Sequence, residues 1–253
     1  MKKIIITGST GGIGNELSLY LAQKDYLPAL FARDSQKLKN LTSKIRATCS
    51  KEVSSYSLDL GDIRAIEKFD YPALGQIDGI VLMPPQLEPV ADPFATPDEW
   101  ARFFQYSFIG PLEFIKRLLP NLRQSERAKI VLISGISSLQ VLSHYATSNV
   151  LRCAWVGQAK TLAHFLGKEN IHFNTLSLGG ILTDEYLNEL QADALKENST
   201  VTEILKKETS NVPLRKYAKP IEVAHAVEAL LGQFSDHITG VNIAVDGGFT
   251  RSY

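Results

Sequence analysis

The chain is 253 residues long, 44% hydrophobic and 21% charged, with 27 Lys+Arg balancing 27 Asp+Glu. That length supports one large α/β domain with an ample core, and the neutral balance excludes a general electrostatic pull toward nucleic acid or an anionic membrane. No apolar run approaches the roughly 18 residues of a membrane span, and two cysteines, Cys49 and Cys153, supply neither a disulfide framework nor a metal-ligand spacing.

Met1-Lys2-Lys3 begins like a signal n-region, but the apolar run behind it ends after three residues. The expectation is a cytoplasmic protein with no metal, acting on a small molecule. The run Ile4–Thr7 reads as a buried strand, since three β-branched apolar residues stand in succession. It leads directly into Thr7-Gly8-Ser9-Thr10-Gly11-Gly12-Ile13-Gly14 and a helical pattern over Gly12–Lys24. Glycines at 8, 12 and 14 leave no Cβ where the chain turns tightly and where a pyrophosphate would approach the backbone. The helix N-terminus behind them offers unpaired N–H groups to an anion. A strand, this loop and a helix in that order point to a dinucleotide site.

Further strands are expected at Leu27–Ala32, Ser54–Leu58, Gly79–Met83, Lys129–Ser134, His172–Ser177 and Val241–Val245. Helices are expected between them near Ser35–Ala47, Gly61–Phe69, Pro97–Leu119, Tyr145–Leu166 and Ile221–Gly232. Such alternation predicts a doubly wound, mainly parallel seven-stranded sheet with helices on both faces, as one domain over 1–253. Eighteen residues after Gly14 the chain reads Ala32, where NAD binding calls for a carboxylate, and Arg33 follows. Arginine there pairs a 2′-phosphate, so NADP(H) is favoured over NAD(H). Asp34 is suited to capping the next helix, and Asp59-Leu60 closes the third strand where a carboxylate would accept from an adenine amino group. The polar stretch 183–212 breaks the rhythm and reads either as a solvated excursion or as a lid over substrate.

On Thr7–Gly14, Asp59-Leu60, Ile130–Ser134, Tyr145, Gly179 to Thr183-Asp184 and the tail Ile238-Thr239-Gly240…Val245-Asp246-Gly247-Gly248, the chain resembles the short-chain dehydrogenase/reductase family over nearly its whole length. It looks closest to the acyl-carrier-protein ketoreductase-like branch. The resemblance implies a Rossmann fold, a nicotinamide cofactor and a homodimer or homotetramer. The apolar residues spread around Val150–Leu166 fit helix packing against a partner subunit as well as the sheet.

The resemblance also implies a tyrosine proton donor, a lysine four residues later, a substrate-fixing serine and a helical asparagine. Tyr145 fills the first position, but Asn149 stands where the lysine belongs, Gly135 where the serine belongs and Ser107 where the asparagine belongs. The cofactor-binding set carried over is Gly8, Ser9, Thr10, Gly12, Ile13, Gly14, Arg33, Asp59, Leu60, Asn149 and Thr183. Ser134, Ser137 and Ser138 are candidate substitutes for the serine. Arg152, on the helical face of Tyr145 and Asn149, is a candidate replacement cation. The expected function is an NADP(H)-dependent oxidoreductase acting on a carbonyl or conjugated enone with Tyr145 as proton donor. The alternative is a catalytically impaired nucleotide-binding protein with a sensing or scaffolding role.

Overall fold

The computed structural model describes residues 1–88 and 90–252. Seven strands form one sheet: β1 (Lys2–Ile6), β2 (Tyr26–Ala32), β3 (Ser54–Ser57), β4 (Gly79–Leu82), β5 (Ala128–Gly135), β6 (Ile171–Leu178) and β7 (Asn242–Val245). Their order is β3-β2-β1-β4-β5-β6-β7, and every pairing is parallel. The order reverses direction between β1 and β4, so a crevice opens there at the strands' carboxyl ends.

Because side chains alternate across a strand, each central strand feeds two cores. Ile5, Phe31, Ile80, Leu82, Ile130 and Leu132 enter one. Ile4, Ile6, Leu30, Val81, Val131 and Ile133 enter the other. The first core is closed by α3 (Ile63–Lys68), α5 (Gly110–Leu122) and α6 (Ala146–Leu166), the second by α1 (Gly12–Gln23), α2 (Ser35–Cys49) and α9 (Pro220–Leu231). The doubly wound single-domain Rossmann arrangement expected from the alternation is the arrangement found.

Two helical expectations are corrected. The segment expected as one helix over Pro97–Leu119 is divided: α4 (Pro97–Phe104), a π turn over Gln105–Ile109, then α5. Pro111 has no N–H to give Ser107, four residues back, and the Gly110 amide instead bonds Gln105 O in the wider π pattern. Trp155 Nε1–H fills the vacancy, donating to Ser107 O at 2.9 Å. The second correction concerns Tyr145, expected within a helix. It precedes α6 as the N-cap residue, at φ −128° and ψ 39°. The stretch 183–212 contains α7 (Asp184–Lys196) and α8 (Val201–Glu208), each capped at its N-terminus by a threonine, Thr183 or Thr200.

Candidate functional site

The β1–α1 loop folds by close backbone contact. Gly8 sits at φ +58°, a region that favours glycine. A Cβ on Gly14 would lie 2.2 Å from Gly8 O, so only glycine lets the first turn of α1 press against the loop. A Cβ on Gly12 would meet the Thr183 side chain at 2.7 Å, which brings the segment after β6 against this turn. The N-cap of α1, Gly11, contributes no side-chain cap, and the first turn carries no acidic residue. Its amides and the positive end of its dipole are therefore unneutralised, as anion binding requires.

A long cleft runs from this loop. It is lined by Gly8, Thr10, Gly12, Ile13, Gly14 and Thr183 at one side, and by Arg33, Asp59, Leu60 and Lys37 toward its outer end. Asp34 caps α2 by accepting from the amides of Gln36 and Lys37, both at 2.9 Å, as the sequence suggested. Two exposed cations, Arg33 and Lys37, remain at the cleft's edge. Lys37 escaped the sequence reading; its place at the third position of the helix behind Arg33 was the signal available.

Tyr106, also unanticipated, joins two polar residues of the cleft, Arg33 and Asp59. Its hydroxyl accepts from Arg33 Nη1 at 2.6 Å and donates to Asp59 Oδ2 at 3.4 Å. Burial, then the Asp59 charge, raise the Tyr106 pKa, so the phenol keeps its proton.

Two expected cofactor residues turn their side chains elsewhere. Ser9 is fully buried, and its amide and hydroxyl both go to Phe31 O, at 3.1 and 3.2 Å. The hydroxyl thus ties the loop to β2. Asn149 gives Nδ2–H to Leu142 O at 2.9 Å and accepts from Leu142 N at 3.4 Å. Its amide thereby holds the loop that carries Tyr145.

Tyr145, 40% exposed, lines a second pocket with Arg152, Ile181, Tyr186, Glu208 and Tyr217. Residues of α7 and of the end of α8 thus form one wall of it. Tyr186 donates to Glu208 Oε2 at 2.7 Å, and burial followed by that carboxylate raises the Tyr186 pKa. Between this pocket and the cleft lies a smaller cavity lined by Pro84, Pro85, Gln86, Ile133, Ser134 and Arg152. It shares Ile133 and Pro84–Gln86 with the cleft and Arg152 with the second pocket.

Of the three candidate serines, Ser137 accepts from Arg152 Nη1 at 3.0 Å, and Ser138 pairs Ser177 at 2.7 Å. Ser134 Oγ is buried, has no hydrogen-bond partner among the described residues, and faces the cavity. Ser107 also faces this cavity, and its carbonyl is occupied by Trp155. Among the described residues no group of three or more His, Cys, Asp or Glu is arranged to hold a metal, and no helix is long and apolar enough to cross a membrane.

Residues 8–250 match a family model described as enoyl-(acyl carrier protein) reductase. A 3-oxoacyl-[acyl-carrier-protein] reductase, FabG, from Aggregatibacter actinomycetemcomitans is 30% identical over 254 residues, covering 97% of this chain and 98% of that protein. Among solved structures, L-sorbose reductase from Gluconobacter frateurii, complexed with NADPH and L-sorbose, superposes with a TM-score of 0.92 at 21% identity, covering 100% of this chain and 97% of that one. A short-chain oxidoreductase from Pseudomonas aeruginosa PAO1 containing an atypical catalytic centre gives 0.91 at 22% identity, covering 100% and 98%. At these identities the two structures show a shared fold.

Proposed function

The chain belongs to the short-chain dehydrogenase/reductase family of oxidoreductases, and on that premise we propose that it is an NADPH-dependent reductase of a carbonyl or conjugated enone, with Tyr145 as proton donor. The observation that carries this reading is the continuity of the site. A glycine cradle with an uncapped helix end leads outward to Arg33 and Lys37, and inward, past Ile133, to the cavity that Arg152 shares with the Tyr145 pocket.

The cradle fits a dinucleotide, because glycines at 12 and 14 let the loop close tightly against Thr183 and Gly8 while the first turn of α1 keeps uncapped N–H groups for a pyrophosphate. Arg33 and Lys37 fit a 2′-phosphate: one offers a forked donor set and the other a point charge. NADPH, when bound, supplies the hydride. The remaining work falls to this chain's residues. Thr183 and Ile13 confine the inner end of the cleft, and Tyr145 gives its proton to the substrate and recovers one from solvent. Tyr186, Glu208 and Val212, all lining the Tyr145 pocket, support reading the stretch 183–212 as a substrate cover.

The family's lysine is absent, and the amide in its place is committed to Leu142. This favours conjugate reduction, in which the protein need only stabilise an enolate and protonate it. The NADPH bound in the L-sorbose reductase complex and the 3-oxoacyl reductase activity named for the 30%-identical relative support an NADPH-dependent reductase and keep a carbonyl substrate in the proposal. A homodimer or homotetramer is part of the proposal, because α6 leaves Val150 and Phe165 45% and 58% exposed on its apolar surface.

The test is NADPH consumption over a panel of ketones and enones, with Tyr145→Phe beside the wild type. Turnover reduced by about 10²–10⁴-fold in the variant is expected. Equal turnover in both removes Tyr145 from the reaction, and no turnover with any compound favours the impaired nucleotide-binding alternative.

A further inference from the structure

Arg152 is a half-buried cation that lines both the Tyr145 pocket and the cavity leading to the cleft. Its guanidinium has five N–H donors, and among the described residues one is used, toward Ser137 Oγ at 3.0 Å. Among the described residues no carboxylate lies within 4 Å of it. The two carboxylates of the same pocket are engaged elsewhere. Glu208 accepts from Tyr186, and Asp246 accepts from the amides of Gly248 and Thr250 at 2.9 and 2.7 Å. Burial depresses the Arg152 pKa, with the neighbouring Tyr145 opposing that shift.

Its position is built into the end of β5. A Cβ on Gly135 would lie 2.5 Å from both Cζ and Nη1 of Arg152 and 3.0 Å from Nε. The Gly135 backbone, at φ −128° and ψ 159°, is ordinary extended chain that any residue adopts. Glycine is thus demanded there by the guanidinium and not by the backbone. The cation occupies the volume that a side chain at 135 would fill.

We propose that Arg152 is a catalytic residue that stabilises the negative oxygen developing on the reacting substrate, with Gly135 as the vacancy that admits it. This rests on reading the Tyr145 pocket as the substrate site. A half-buried cation with unspent donors facing a pocket is poised to bind an anion there. Such a group accelerates reaction when the anion forms only in the transition state. Glu208 and Asp246 in the same pocket oppose a substrate that carries a permanent negative charge. The site therefore selects a neutral carbonyl or enone whose charge is transient, and Arg152 holds that charge while Tyr145 delivers the proton.

The test reads anion stabilisation without turnover. Protein loaded with NADP⁺ is titrated with 4-nitrophenol, whose phenolate absorbs separately from the phenol. Wild type is expected to favour the bound phenolate by about tenfold or more relative to solution, Arg152→Lys to retain part of that preference, and Arg152→Gln to lose it. Gly135→Ala, which keeps the arginine but evicts its guanidinium, is expected to lose it with an unchanged thermal midpoint. In parallel, Arg152→Gln should lower kcat for cyclohex-2-enone by about 10²–10³-fold, with KM and NADPH affinity little altered.

No phenolate preference in wild type overturns the inference, as does a preference that survives in Arg152→Gln. A rise in KM at constant kcat overturns it too, because Arg152 would then be a ground-state anchor. If no carbonyl or enone is reduced while 4-nitrophenolate binding still depends on Arg152, the proposed function fails and the anion site stands.

Discussion

Arg33 reaches Asp59 through one phenol: Tyr106 accepts from the arginine at 2.6 Å and donates to the carboxylate at 3.4 Å. The ring gains its place because position 61 is glycine, where a Cβ would stand 1.8 Å from Tyr106 Cδ2. A side chain from the π turn after α4 thus holds an arginine at the end of β2. Fixing an exposed arginine in advance removes part of the ordering cost of binding a phosphate.

Cofactor choice follows from that arrangement. Arg33→Ala should weaken NADPH binding by about 10–100-fold, the equivalent of one charge-assisted contact of about 1.5–3 kcal/mol, and leave NADH nearly unaffected. Tyr106→Phe keeps the charge but releases the arginine, so a smaller loss of about threefold to tenfold is expected, again for NADPH alone. Fluorescence titration of both nucleotides checks this, and equal losses for NADPH and NADH would remove Arg33 from the 2′-phosphate.

Asn149 supports the Tyr145 loop. Its amide makes two hydrogen bonds to the backbone of Leu142, three residues before Tyr145, and the Asn149 amide N–H reaches Tyr145 O at 2.7 Å. Replacing it by the family's lysine is therefore not a simple restoration. Asn149→Lys and Asn149→Leu should each lower stability by about 1 kcal/mol, a thermal midpoint change of about 2–4 °C for a chain of this size. Both should reduce kcat through misplacement of Tyr145, with NADPH affinity retained. A lysine variant more active than wild type would show that charge at 149 matters more than the loop.

The parts legible in the sequence are those governed by local pattern. Alternating strands and helices, the glycine loop and the Asp34 cap each follow from residues adjacent in the chain, and the structure places them as read. The division of the expected Pro97–Leu119 helix was also encoded locally, in Gly110-Pro111, but the 3.6-residue apolar rhythm continues through it. Ser9 and Asn149 carry the right chemical groups and direct them to Phe31 and Leu142, because unpaired buried polar groups take the nearest partners. Tyr106, Tyr186 and Glu208 reach the site from distant segments, and no spacing in the chain announces such meetings. Gly135 was visible as a departure from the family pattern, and Arg152 separately as a candidate replacement cation. That one makes room for the other emerges only from their proximity.

Away from the site, Asp236 supplies a pH dependence whose sign is fixed by its neighbours. Lys129, 2% exposed, donates to Asp236 Oδ1 at 2.7 Å and to Ser235 Oγ at 2.9 Å, and Arg127 pairs with the same carboxylate. Lys129 first, then Arg127, pull the Asp236 carboxyl down to about 2. A carboxyl whose pKa is depressed by folding contributes its stability above its unfolded value, near 3.8, and loses it as pH falls through about 2. Asp236→Asn should therefore be less stable than wild type near neutrality, where it leaves the buried Lys129 ammonium with a neutral partner. The gap should narrow between about pH 4 and about pH 2, where the wild-type carboxyl takes up its proton. Urea unfolding across that range checks the prediction, urea being uncharged. A gap that stays constant through the window would mean the pair contributes by packing and not by charge.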